Sequence, residues 1–137
     1  MEYLQNGFQL NIAPGTFPLS TDSILLADFA KLPKQANVLD LGSGCGTLGL
    51  LLCAKDEGCK VTGIELSEAA HAAALENIDR NNLQDRLFSI CADLRSIPSH
   101  FPAGSLPRRS FPSRTRFSRR TSNPAWAHIL HTCRFNP

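Results

Sequence analysis

Three glycines at alternate positions, Gly42, Gly44 and Gly46, separate a pair of apolar runs, and this break limits the possible folds more than any other feature of the chain. Val38-Leu39-Asp40-Leu41 reads as a buried parallel strand. Gly42-Ser43-Gly44-Cys45-Gly46 reads as a tight turn with few side chains in the way, and Leu48, Leu51 and Leu52 open a helix. Such a turn presents backbone N–H groups and a helix N-terminus to a ligand. A second strand, Val61-Thr62-Gly63-Ile64, ends in Glu65, nineteen positions beyond Gly46. An acid at the tip of the neighbouring strand can accept hydrogen bonds from both ribose hydroxyls of a nucleoside. Together these predict an α/β fold with a Rossmann-like doubly wound parallel sheet.

Two kinds of nucleoside cofactor compete for the turn. A dinucleotide-binding turn would want glycine at position 47, where the chain has Thr47. Asp40, two residues before the first glycine, suits a cationic ligand and would repel a pyrophosphate. Asp40-Leu41-Gly42-Ser43-Gly44-Cys45-Gly46 resembles motif I of the class I S-adenosylmethionine-dependent methyltransferases. The resemblance implies S-adenosyl-L-methionine as cofactor, a ligand with a sulfonium, an ammonium and no phosphate. Since sheets of that family normally have about seven strands, it also implies a doubly wound sheet of which this chain holds the N-terminal, cofactor-binding half only.

Before this unit, Asn6-Gly7, Pro14-Gly15 and Pro18 mark turns around an extended piece at residues 8–12. Thr21 is a good N-cap, Asp22 favours a helix N-terminus, and the pattern predicts a helix from about 22 to 32 with Pro33 as its stop. After Glu65, Ser67 caps a second helix reaching roughly Asn81, rich in alanine and so able to pack closely on a sheet. Residues 87–92 form a third strand ending at Asp93. Asp40, Glu65 and Asp93 then share the carboxyl edge of the sheet, where ligands lie in this architecture. Each also has a plain structural explanation: a turn cap, a helix cap and the start of a loop.

A narrower resemblance rests on Gly7-Phe8-Gln9-Leu10, Thr21-Asp22-Ser23-Ile24-Leu25-Leu26-Ala27 and Val38-Leu39-Asp40-Leu41-Gly42. These are similar to the bacterial tRNA(Val) adenine-N6 methyltransferases, over about residues 5–97. The likeness implies that Gly42, Ser43, Gly44 and Gly46 line the methionine and ribose portions of the cofactor and that Glu65 binds the ribose hydroxyls. It also implies that Ala92 and Asp93 contact the adenine and that Thr21 and Asp22 close the site; capping a helix explains those last two equally well. The family's catalytic Asn-Pro-Pro-Tyr follows its fourth strand, where the Asn oxygen and a backbone carbonyl accept hydrogens of the target amine while an aromatic ring stacks the extruded base. That motif is absent here. The nearest match is Asn123-Pro124-Ala125-Trp126, with Asn123 as the only catalytic candidate, and it follows an arginine-rich stretch unlike a central strand.

The charge division marks where the pattern stops. Residues 1–105 hold 7 basic and 12 acidic side chains, whereas residues 106–137 hold seven arginines and no acid. The expected organisation is an N-terminal arm and helix (1–35), a cofactor-binding βαβαβ unit (36–105), and a basic Arg/Pro/Ser-rich tail (106–137). The tail reads either as a disordered RNA-binding arm or as coding sequence translated out of frame. Arg108-Arg109-Ser110-Phe111 can be encoded so that a one-base shift gives Val-Val-Val-Ser, an apolar strand of the kind due there, and the abrupt break favours this second reading.

The five cysteines are odd in number and lack a Cys-x-x-Cys pair, which fits reduced thiols in a cytoplasmic protein. His71, His100, His128 and His131 lack acids at metal-ligand spacing, so no metal is expected. Neither an eighteen-residue apolar span nor a leader is present, so no membrane is expected as partner. The functional expectation is a truncated methyltransferase of an adenine N6 amine in tRNA or other structured RNA, weakly active or inactive. The alternatives are a non-catalytic nucleoside- or RNA-binding fragment and, disfavoured by Thr47 and Asp40, an NAD-binding oxidoreductase fragment.

Overall fold

The computed structural model describes residues 1–4 and 7–96, together with the backbone of residues 128–131. Two short strands, β1 (Glu2–Tyr3) and β2 (Gln9–Leu10), pair antiparallel and are followed by helix α1 (Thr21–Phe29). The glycine turn joins β3 (Asn37–Leu41) to α2 (Thr47–Lys55). Next come β4 (Lys60–Glu65), α3 (Glu68–Arg80), β5 (Leu87–Cys91), a 3-10 turn (Leu94–Ser96) and β6 (His128–His131). The main sheet is parallel throughout, in the order β5-β4-β3-β6.

The three expected parallel strands and the alanine-rich helix are where the residue pattern puts them. A fourth strand is the difference. Within the stretch read as a tail, the backbone of His128–His131 pairs with β3, from Val38 opposite His128 to Leu41 opposite His131. Residues 97–127 and 132–137 lie outside the described residues.

Strands β3, β4 and β5 are neighbours in sequence order, and right-handed crossovers then carry α2 and α3 over one face of the sheet. Val38, Val61 and Leu87 are opposite one another in the register and point to that face. They share one apolar cluster with Leu48, Leu52 and Cys53 of α2 and Ala70, Ala73 and Ile78 of α3. Each fully buried leucine there contributes roughly 1.5–3 kcal/mol by leaving water. Small residues set the spacing: a Cβ on Gly49 would meet the end of the Leu87 side chain, which would have to shift to make room.

Two helix boundaries differ from expectation for identifiable reasons. The N-cap of α1 is Ser20, whose Oγ accepts from Ser23 N–H at 3.3 Å, and Thr21 is already helical. The helix ends at Phe29, and Lys55 of α2 caps it from a distance, its Nζ donating to Ala27 O at 2.9 Å and Asp28 O at 2.7 Å. For α3 the expected caps hold: Ser67 Oγ accepts from Ala70 N–H, and Asn81 ends the helix. Among the described residues, no helix is long and apolar enough to cross a membrane.

Candidate functional site

At the carboxyl end of β3 the chain turns through three positive φ values, +78° at Gly42, +55° at Gly44 and +81° at Gly46. Only glycine adopts these without steric cost, which is why the alternate spacing is required. Gly42 and Ser43 N–H both donate to Ile64 O, at 2.8 and 3.1 Å, and Gly46 N–H donates to Ser43 O at 2.9 Å. The turn is thereby fixed to the last residues of β4. No side chain caps α2 at Gly46, and the space where a Cβ on Gly44 would stand is open. The first N–H groups of α2 are donors that a ligand can use.

Beneath the turn the register aligns Asp40, Gly63 and Ser89 across β3, β4 and β5. They lie two residues beyond Val38, Val61 and Leu87, so the period of two puts them on the same, helix-covered face. Asp40 is 1% exposed. Ser43 folds down onto Gly63, and a Cβ built there would stand 2.5 Å from Ser43 Oγ and 2.7 Å from its Cβ. That Oγ is buried and has no hydrogen-bond partner among the described residues. Ser89 Oγ is 2.8 Å from His71 Nδ1 of α3.

Glu65, the last residue of β4, braces the turn. Its Oε2 accepts from Gly44 N–H and its Oε1 from Ser67 N–H, both at 2.8 Å. A carboxylate oxygen has two acceptor positions, so each retains one for a hydroxyl of a ligand. Ala92 N–H donates to Glu65 O at 2.9 Å, which seats the end of β5 beside it. Asp93 follows and is held by Arg95: Nε is 3.0 Å from both carboxylate oxygens, and Arg95 N–H donates to Oδ1 at 2.9 Å. These bonds hold the Asp93 carboxyl down at about 2.

The structure thus brings Asp40, Gly42, Ser43, Gly44, Gly46, Glu65, Ala92 and Asp93 to one edge of the sheet. Thr21 and Asp22 are exposed at the start of α1. Asn123 lies outside the described residues. Three contributors were missed from sequence. Gly63 carried a signal, since a glycine inside a strand marks close approach of another chain segment. Asn77 and Asn81 of α3 carried none: Asn77 Nδ2 donates to Cys45 O in the turn at 2.9 Å, and both amides grip the backbone of the N-terminal segment. That segment also reaches the turn directly, Thr16 Oγ1 lying 3.3 Å from Cys45 Sγ.

The donors and acceptors fit a nucleoside ligand. The outer side of the turn is open, an uncapped helix N-terminus and a buried hydroxyl without a partner adjoin it, and three carboxylates share the edge. Among the described residues no group of three or more His, Cys, Asp or Glu side chains could hold a metal ion. Cys45, Cys53 and Cys59 are buried free thiols, and Cys91 is an exposed one.

Comparison with known proteins agrees with this geometry. The methyltransferase small domain family matches residues 19–97. A tRNA1(Val) (adenine(37)-N6)-methyltransferase of Aliivibrio salmonicida is 35% identical over 94 residues, 68% of this chain and 40% of that protein. A Haemophilus influenzae protein of the same name is 35% identical over 89 residues, 64% of this chain and 38% of its own. The chain therefore spans about two fifths of the length of these relatives. Among solved structures, a SAM-dependent methyltransferase from Thiobacillus denitrificans in complex with S-adenosyl-L-homocysteine is 25% identical with a TM-score of 0.52, over 60% of this chain and 33% of that one. One from Geobacter sulfurreducens, also with S-adenosyl-L-homocysteine, is 26% identical with a TM-score of 0.51, over 58% of this chain and 32% of that one.

Proposed function

Because the chain belongs to the methyltransferase small domain family, we propose that its glycine turn binds S-adenosyl-L-methionine in the service of methyl transfer to the N6 amine of a tRNA adenine. The observation that carries the proposal is the Glu65 carboxylate, fixed by Gly44 and Ser67 N–H with one acceptor position left on each oxygen. A pair of vicinal ribose hydroxyls is the natural occupant of those two positions. Gly42 to Gly46 then line the ribose and methionine portions, Ala92 and Asp93 meet the adenine, and, on the likeness to the tRNA(Val) enzymes, Thr21 and Asp22 would close the site. The bound cofactor supplies an electrophilic methyl group on a sulfonium. The carboxylate of Asp40 at the end of β3 complements that positive charge and disfavours the pyrophosphate of NAD.

Cofactor binding and transfer are separable here. Transfer to an exocyclic amine needs side chains that hold the amine against the methyl group, and Asn-Pro-Pro-Tyr does not occur in the sequence. The proposal is therefore a chain that binds the cofactor and transfers its methyl group weakly or not at all. Equilibrium dialysis with labelled S-adenosylmethionine, followed by incubation with tRNA, tests binding and transfer in turn. Retained label with no methylated adenine supports the account, and robust turnover contradicts the claim of weak or absent transfer. RNA binding that falls steeply with salt, with no cofactor bound, would instead favour a nucleic-acid-binding fragment.

A further inference from the structure

Asn77, 0% exposed on α3, spends its amide in two directions. Its Oδ1 accepts from Asn11 N–H at 2.7 Å, and its Nδ2 donates to Asn11 O at 2.8 Å and to Cys45 O at 2.9 Å. The nitrogen has two hydrogens, so one is committed to the N-terminal segment and the other to the glycine turn. One helical turn later, Asn81 repeats the grip on Gln9: Oδ1 accepts from Gln9 N–H and Nδ2 donates to Gln9 O, both at 2.8 Å. Four residues of helix rise about 6 Å and two residues of strand about 6.7 Å, so the two amides match alternate residues of an extended chain. They serve α3 as the edge of a sheet, on which residues 9–11 lie. Thr16 Oγ1 meets Cys45 Sγ at 3.3 Å, so the same segment reaches the turn by a second route.

We propose that Asn77 is a positioning residue that makes the seating of residues 9–16 on α3 and the ordering of the glycine turn one equilibrium, so that cofactor binding and seating of the segment reinforce each other. The second half rests on the reading that the turn binds the cofactor. If the segment leaves, Asn77 Oδ1 and one N–H exchange Asn11 for water, and the bonds that fix the amide plane in the orientation that meets Cys45 O are gone. Reciprocity then requires that a ligand ordering the turn also hold the segment down.

The test uses Asn81→Ala, which removes both bonds to Gln9 and the 2.7 Å bond from Asn81 Nδ2 to Asn77 O and touches nothing in the turn. Gln9→Pro, which removes the Gln9 N–H donor and leaves Asn81 bonded to Asn77, separates the two routes. Amide exchange at Asn11 and Gly46 is followed in the ligand-free 137-residue chain, and S-adenosylhomocysteine affinity is measured by calorimetry for wild type, Asn81→Ala and Asn77→Ala. The account expects exchange at Gly46 to accelerate with that at Asn11 in Asn81→Ala, and the dissociation constant to rise roughly tenfold, within the usual range of coupling between sites. Asn77→Ala should weaken binding at least as much, with little further loss in the double variant. Faster exchange at Asn11 with Gly46 exchange and ligand affinity unchanged overturns the proposal. If the wild type binds no S-adenosylhomocysteine but Gly46 still follows Asn11, the cofactor reading fails and the coupling stands.

Discussion

Glu65 Oε2 accepts a hydrogen bond from Gly44 N–H at 2.8 Å, so the acid at the end of β4 shapes the turn at the end of β3 before any ligand arrives. The other oxygen accepts from Ser67 N–H, at the N-cap of α3. One carboxylate thus ties two strand ends and a helix start together. Glu65→Gln keeps the volume but turns an NH2 group toward one of the two N–H donors. We expect a loss of roughly 1–3 kcal/mol in stability, the cost of a donor left without its acceptor. Affinity for S-adenosylhomocysteine should fall at least tenfold. Denaturant unfolding and calorimetry read the two effects separately.

Gly63 and Ser43 form a second matched pair. A Cβ on Gly63 would stand 2.5 Å from Ser43 Oγ, too close for either to stay in place. Gly63→Ala should cost roughly 1–3 kcal/mol, as overpacked cores do, and weaken ligand binding by displacing the turn. Adding Ser43→Gly removes the obstacle, and the double variant should recover most of the loss. A double-mutant cycle with no coupling energy would show that the two residues do not meet.

Asp93 titrates far below an ordinary carboxyl because Arg95 grips its side chain and its backbone N–H adds a further bond. The folded value of about 2 lies below an unfolded value of about 4, so this contribution to stability is whole above pH ~4 and is lost as pH falls through about 2. NMR titration should place the Asp93 midpoint near 2, and Arg95→Ala, which removes the guanidinium but keeps the backbone N–H bond, should raise it part of the way toward the ordinary carboxyl value of about 4. A wild-type midpoint near 4 would show that the ion pair does not form in solution.

Burial pushes the Cys53 thiol up to about 12, with the neighbouring Cys59 adding to the effect, and pushes Cys59 up to about 11. Cys91 is exposed. Because the thiolate is the nucleophile, brief alkylation of the native protein at pH 8 should label Cys91 and spare Cys53 and Cys59. Peptide mass spectrometry reads the pattern, and labelling of Cys53 at the rate of Cys91 would contradict the core described above.

What could be read from sequence follows the range of the interactions. Strand, glycine turn and helix were legible because period, glycine spacing and caps act within a few residues. Ser67 and Asn81 bound α3 as the pattern predicts. At α1 two adjacent capping residue types compete, and the extended backbone at Ser20, with φ −112° and ψ 150°, decides for it over Thr21. Contacts between distant residues left no local trace. The grip of Asn77 on Asn11 spans 66 positions, that of Asn81 on Gln9 72, and the cap that Lys55 places on Ala27 O 28. The strand His128–His131 lies in a stretch whose composition suggested no sheet.

The central claim is that this turn holds S-adenosyl-L-methionine, and thermal unfolding with S-adenosylhomocysteine and with NAD in parallel tests it most directly. At a hundred times its dissociation constant a ligand of the folded state adds about 2.7 kcal/mol, an easily measured rise in Tm. The account predicts a saturable rise with S-adenosylhomocysteine, none with NAD, and a diminished rise in Glu65→Gln. No rise with millimolar S-adenosylhomocysteine, or an equal rise with NAD, would contradict it.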